Sequence, residues 1–244
     1  MNKTLMLGNE AVARGLYEAG VNVISSYPGT PSTEITEFAS KYDEMYSEWA
    51  PNEKVAFEVA FGASLGGARS FCAMKHVGLN VAADPLYTAS YIGVNGGMVC
   101  AVADDPGMHS SQNEQDSRHH AIASKTPMLE PSDSAECCLF TKLAFDLSER
   151  FDTPMLLRLS TRISHARSIV EPSDRADIPV KDYKKDIMKN VMMPAMARGA
   201  HVKVEKRLEE MTDFADTEAV ELGINKVEMY NKQLGIIVAG STYV

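Results

Sequence analysis

Two spacings of apolar residues alternate over residues 1–165. One is helical. Gly8 to Ala19 places its apolar side chains three and four apart, and Gly20 ends the run. Similar spacing marks Asn52 to Arg69, the stretches near Asp84 to Val94 and Glu114 to Ala123, and Ser134 to Arg150. The other kind is short and apolar. Such runs occur at Asn22 to Ser26, Met45 to Trp49, Ser70 to Lys75, Met98 to Asp104, Pro127 to Glu130 and Pro154 to Leu159. Strands alternating with helices predict an α/β fold, a doubly wound, mostly parallel sheet covered on both faces. MVCAVA is apolar throughout, so Met98 to Asp104 is expected at the centre of the sheet, and Met45 to Trp49 at an edge.

Three polar segments interrupt this pattern after strands: YPGTPST (27–33), KHVGLNVAADP (75–85) and DDPGMHSSQNEQDSR (104–118). Each reads as a loop at a carboxyl end, where ligands of such sheets collect. Ser32 or Thr33 can cap the helix expected from about Glu34. Beyond residue 170 the pattern changes. Residues 171–233 open with a polar, proline-bearing linker and continue from Val202 to Asn231 as charged, solvated helices, a helical C-terminal extension. Residues 234–244, LGIIVAGSTYV, read as a strand followed by the glycine-bearing start of another βα unit, the first strand of a truncated next domain; a final strand closing the sheet is the alternative.

Composition narrows the function classes. The 244 residues are 45% hydrophobic and 23% charged, enough apolar content for a globular core. The formal charge of −9 argues against a nucleic-acid backbone as partner. No apolar run is long enough for a bilayer, and MNKTLMLGNE turns polar too soon for a secretory signal, so no membrane association and a cytoplasmic location are expected. The cysteines, Cys72, Cys100, Cys137 and Cys138, form no CxxC pair. They are expected to be reduced and mostly buried, with neither zinc nor an iron–sulfur cluster bound. The scattered histidines propose no metal site.

Within Asn52 to Arg69, helical spacing sets Glu58 on one stripe with Val55, Phe61, Gly62 and Leu65. A carboxylate among such neighbours is expected to be neutral, paired or awaiting a ligand, because burying it ionised and alone is costly. The small residues Gly62, Ala63, Ser64, Gly66 and Gly67 allow close approach to the helix. A salt bridge to a buried Arg or Lys, or a place at the edge of the stripe, is the competing account of Glu58, and plain helix–sheet packing that of the glycines.

Five segments, in order, carry a family resemblance: YPGTPSTEI (27–35), NEKVAFEVAFGASLGGAR (52–69), KHVGLNVAADPL (75–86), VADDPGMHSSQNEQDSRH (102–119) and, more weakly, RLSTRISHAR (158–167). From about residue 5 to residue 170 the chain resembles the first domain of the 2-oxoacid:ferredoxin oxidoreductases, and most of all the branch that acts on indolepyruvate. Met108 and His76 depart from its pattern, in which a proline and a glutamine are expected. The resemblance implies that residues 1–170 form a pyrimidine domain of a thiamine diphosphate enzyme. It implies that Glu58 hydrogen-bonds N1′ of the aminopyrimidine and promotes loss of the thiazolium proton, helped by a low-dielectric site that raises its pKa. Gly29 and Thr30 would face cofactor and substrate, and Gly78, Leu79 and Asn80 would lie along the pyrimidine ring. Thr30, His109, Ser110 and Gln112 would border the substrate. Thr30 is otherwise a turn hydroxyl, Asn80 a helix cap and His109 a surface histidine. Lys75 and Arg118 either balance substrate charge or pair with Asp84 and Asp116.

The family also needs a GDG segment for magnesium and the diphosphate, and a cysteine-rich ferredoxin pattern. Neither occurs here. Magnesium and the iron–sulfur clusters of the full enzyme are therefore expected outside this chain, which alone should be inactive. The implied partners are a second (beta) subunit or second copy of the large subunit, ferredoxin, coenzyme A and a 2-oxoacid. The implied reaction is oxidative decarboxylation to an acyl-CoA. A non-oxidative thiamine diphosphate decarboxylase or lyase subunit, and a non-catalytic assembly domain using the acidic helices, remain as alternatives at this point.

Overall fold

The computed structural model describes residues 3–243. The elements run β1 (Thr4–Leu7), α1 (Gly8–Glu18), β2 (Val23–Ser26), α2 (Thr33–Ala39), β3 (Tyr46–Trp49), α3 (Glu53–Leu65), β4 (Ser70–Lys75), α4 (His76–Val81) and α5 (Ala83–Ile92). They continue as β5 (Met98–Asp104), α6 (Arg118–Ser124), β6 (Met128–Leu129), α7 (Ser134–Phe151), β7 (Met155–Ser160), α8 (Thr161–His165) and β8 (Arg167–Val170). After these come α9 (Ile187–Asn190), α10 (Pro194–Asp216), α11 (Glu218–Glu221) and one 3-10 turn, Gly240–Thr242.

Six strands form one sheet in the order β3-β2-β4-β5-β7-β6, and every pairing in it is parallel. The pleat sends successive side chains to opposite faces. Phe71, Ala73, Val99, Ala101, Ala103, Met155 and Leu157 enter one core beneath α1, α2 and α7. Cys72, Met74, Met98, Cys100, Val102 and Leu156 enter the other, beneath α3, α4 and α5. Two cores flanking one parallel sheet make this the doubly wound α/β fold expected. β5 is buried along its whole length, and β3 lies at an edge. All four cysteines are free and buried. Among the described residues no helix is long and apolar enough to cross a membrane.

Several expectations are corrected. His76–Val81 is a helix rather than a loop: Leu79 and Ala82 sink into the second core and hold a sequence that glycine and two valines make a poor helix former. A small antiparallel ribbon of β1 and β8 escapes the apolar pattern, because each strand is only four residues long and leaves an apolar side chain, Leu5 or Ile169, exposed. The charged stretch after residue 193 is not simply solvated. α10 buries Val204, Arg207 and Phe214, and Arg207 donates to Ser90 O at 2.7 Å and Asp152 O at 2.9 Å. Residues 234–239 pair with no strand among the described residues, so the alternative of a last strand closing this sheet is not met. Leu234, Ile236 and Ile237 stand exposed. Val244, the last residue of that expected strand, lies outside the described residues.

The linker after β8 is a strap. Ser173 N donates to Glu18 at 2.7 Å, Ala176 N to Glu18 O at 2.9 Å and Lys181 N to Gly67 O at 3.0 Å. These anchors precede β2 and β4, so the strap follows the amino-terminal edge of the sheet and leaves the carboxyl edge open.

Candidate functional site

The path of the chain marks one crevice on the open edge. From β2 the chain leads outward through α2 to the edge strand β3. From the adjacent β4 it leads the opposite way, through α4 and α5, to β5. Connections that diverge from neighbouring strands leave a gap between their carboxyl ends, the usual place for a ligand in such sheets. Thr30 follows β2, and Lys75 is the last residue of β4.

The turn after β2 is fixed by its own polar groups. Gly29 N donates to Thr33 Oγ1 and Ser32 Oγ to Gly29 O, both at 2.8 Å, and the Thr30–Pro31 peptide is cis. Asn9 Nδ2 at the start of α1 donates to Pro31 O at 2.7 Å. Pro31 and Ser32 are thereby buried while Thr30 stays exposed at the tip. Gly29 sits against the stem of Lys75: a Cβ there would lie 3.2 Å from Lys75 Cγ and Cδ.

The segment after β5 crosses to this turn. Asp104 and Asp105 end the strand, both buried. Asp104 accepts from Arg158 Nε at 2.8 Å and Ser117 N at 3.1 Å, and Arg158 Nη1 also binds Glu130 at 2.8 Å. Asp105 accepts from Ser110 N at 2.8 Å and from the hydroxyls of Ser111 and Thr161 at 2.7 Å. Burial alone would raise the Asp105 carboxyl, but these donors, with His109 N, outweigh it and hold the group well below the usual carboxylate range. The tandem acids thus pin both ends of the segment. Ser110 reaches Thr30 O through its Oγ at 3.5 Å, and its carbonyl accepts from Lys75 Nζ at 3.1 Å. Gly29, Thr30 and Ser110, expected together from sequence, do meet. His109 and Gln112 are exposed beside them.

The second group lies along α3. Asn52 caps this helix, its side chain accepting from Val55 N. Ala56, Phe57, Ala60 and Ser64 face the sheet. Glu58 therefore lies on the outer flank, its side chain 51% exposed, with Lys54 3.9 Å away. Lys54 is held closer by Asp84, at 3.0 Å. The apolar enclosure expected around Glu58 is not formed by this chain: Val55, Phe61 and Leu65 are only half buried, and a Cβ at Gly62 would meet nothing within 4 Å. Of the competing accounts, no buried base holds Glu58, while its half-exposed place on the outer flank is the edge of the stripe.

Beside α3, α4 places Gly78 against Glu53: a Cβ there would lie 2.5 Å from Glu53 Oε1. Leu79 points into the core rather than toward solvent. Asn80 donates to Gln115 at 3.0 Å and pairs with His120 Nε2 at 2.9 Å, so it ties α4 to the segment before α6. His76 is buried, its Nε2 3.1 Å from Asn113 O and its Nδ1 without a partner. Arg118 is engaged by Glu130 at 2.8 Å and Asp116 at 3.6 Å, as the structural alternative held. Asp104, Asp105 and Arg158 were not anticipated as site residues. The signal was a pair of acids directly after the most apolar strand, where an unpaired charge is too costly to stand.

With this geometry in hand, the relatives can be compared. Residues 14–233 match the family described as pyruvate flavodoxin/ferredoxin oxidoreductase, thiamine diphosphate-binding. The chain belongs to that family. It is 45% identical over 254 aligned positions to the indolepyruvate oxidoreductase subunit IorA of Archaeoglobus fulgidus, covering 99% of this chain and 40% of that protein. The IorA subunit of Methanothermobacter thermautotrophicus is 45% identical, again with 99% and 40% covered. The chain thus spans about 40% of the length of these relatives. The ketoisovalerate oxidoreductase subunit VorB of the same organism is 25% identical over 166 positions, 64% of this chain and 47% of that one. Among solved structures, a 2-oxoglutarate:ferredoxin oxidoreductase from Magnetococcus marinus superposes with a TM-score of 0.71 at 18% identity, over 87% of this chain and 45% of its own. That likeness extends the fold assignment to the doubly wound sheet and its flanking helices.

Proposed function

We propose that this chain is the pyrimidine-binding part of a thiamine diphosphate-dependent 2-oxoacid:ferredoxin oxidoreductase acting on arylpyruvates such as indolepyruvate. The observation that carries this reading is similarity over 99% of the chain to subunits named for indolepyruvate oxidation. The more distant VorB relatives bear an oxidoreductase name too, which leaves the non-oxidative alternative without support.

The residues fit the cofactor. Glu58 offers a carboxylate committed to no short ion pair, on a helix flank that Gly62 leaves open. When bound, thiamine diphosphate supplies the electron sink for decarboxylation of a 2-oxoacid. Glu58 would hold and exchange a proton at N1′ of its pyrimidine. That exchange is weak in a half-exposed site, where water screens the carboxylate. A second subunit or a further domain must therefore cover α3 before Glu58 becomes effective. Gly78 and Asn80 would border the ring from α4, with Leu79 supporting them from the core. Gly29 and Thr30 would lie between cofactor and substrate, and Ser110, His109 and Gln112 would line the substrate entrance. Magnesium, the diphosphate and the iron–sulfur clusters are assigned to parts of the assembly outside this chain, and coenzyme A and ferredoxin are the co-substrates.

The test is made on the complete enzyme, following indolepyruvate- and coenzyme A-dependent reduction of a viologen dye. Glu58→Gln should lower turnover at least about a hundredfold, the scale of a lost acid–base group, with unchanged assembly and circular dichroism. Near-normal turnover would sink the assignment of Glu58. Decarboxylation to an aldehyde with no dye reduction would favour the lyase.

A further inference from the structure

We infer that Lys75 is the cation that receives the carboxylate of the substrate, an inference that rests on the 2-oxoacid reading above. Position is the first ground. Lys75 ends β4 at the crevice where the chain diverges between β2 and β4, and its stem lies under Gly29, next to Thr30. Gly29 belongs to this arrangement, because a side chain there would crowd the lysine stem at 3.2 Å.

Charge is the second ground. Lys75 forms no ion pair among the described residues, and its one hydrogen bond goes to a neutral acceptor, Ser110 O at 3.1 Å. An ammonium carries three donors, so two remain for a ligand. Three cations of the neighbouring elements are engaged: Arg158 by Asp104 and Glu130, Arg118 by Glu130, and Lys54 by Asp84. Asp105, which holds Ser110, is saturated by Ser110 N, Ser111 and Thr161, so it does not compete for Lys75. Lys75 is thus the uncommitted positive group between the two loops that the Ser110–Thr30 contact brings together. A carboxylate of a 2-oxoacid placed there would replace water on the two free donors and gain charge-assisted hydrogen bonds.

The experiment uses the complete enzyme and two inhibitors of equal shape, phenylacetate and phenylacetamide. In Lys75→Met, KM for indolepyruvate should rise roughly tenfold or more, the scale of a lost charged hydrogen bond, while kcat falls by a smaller factor. The wild-type preference for phenylacetate over phenylacetamide should disappear because the carboxylate alone loses affinity. Lys75→Arg, which keeps the charge, should retain most of that preference. An undiminished preference in Lys75→Met would overturn the inference. Equal loss of both inhibitors would overturn it as well, reducing Lys75 to a latch on Ser110. If the wild-type enzyme oxidises no 2-oxoacid, the reading beneath the inference fails and takes the inference with it; if it does and the preference persists, only the inference fails.

Discussion

Glu18 offers the sharpest quantitative test of how the strap is held. Its side chain is fully buried at the end of α1 and accepts from Arg14 Nε at 2.8 Å, Lys142 Nζ at 2.7 Å, and Ser173 N and Oγ at 2.7 and 2.6 Å. Burial by itself would raise its pKa. The lysine, the serine and the arginine overcome that effect and lower it from 4.5 to about 2. A carboxyl whose folded pKa lies below its unfolded value contributes stability above the unfolded pKa and loses it as pH falls through the folded one. A shift of about 2.5 units corresponds to about 3 kcal/mol at neutral pH, at about 1.4 kcal/mol per unit. By about pH 3 less than half of this should remain. Glu18→Gln removes the charge but nearly preserves the shape. Denaturant midpoints should therefore show a loss of about 3 kcal/mol at pH 7 that shrinks by about 2 kcal/mol at pH 3. An equal loss at both pH values would refute the electrostatic account and leave only a packing defect.

Two further perturbations probe the site and the opposite edge of the sheet. Asp105→Ala removes both acceptor oxygens, the one that takes Ser110 N and Ser111 Oγ and the one that takes Thr161 Oγ1; it should cost about 1–3 kcal/mol and speed amide exchange at Ser110. Unchanged protection of Ser110 would show that Asp105 does not hold the segment. Gly67 has φ +101° and its missing Cβ would fall onto the carbonyl oxygen of Lys181, so Gly67→Ala should destabilise by about 1–3 kcal/mol in urea titrations and expose the strap to proteolysis, whereas a wild-type midpoint would contradict the close approach.

The sheet was legible because its strands are short apolar runs between helical spacings, and parallel strands covered on both faces must be apolar on both. The same rule explains what escaped. The β1–β8 ribbon has strands of only four residues, too short for a period to register, and α4 became visible only through Leu79 and Ala82 in the core. For the site, motif order located the turn at Thr30, the α3 carboxylate and the segment around Ser110. Spacing alone misjudged the environment of Glu58. Helical periodicity tells which residues share a stripe, and Val55, Phe61 and Leu65 do share one with Glu58, yet it cannot tell whether that stripe meets this chain's own sheet or another body. The ties from Asp104 to Arg158 and from Asp105 to Thr161 cross more than 50 residues of chain, beyond the reach of local pattern.

The ribbon that pairs Thr4 with Val170 and Leu7 with Arg167 brings the point where the six-stranded layer is entered beside the point where it is left. Entry and exit at one place give this part of the molecule the geometry of a cassette. It can be carried in a longer polypeptide, exchanged between polypeptides, or supplied on a separate one, without its internal connections being cut.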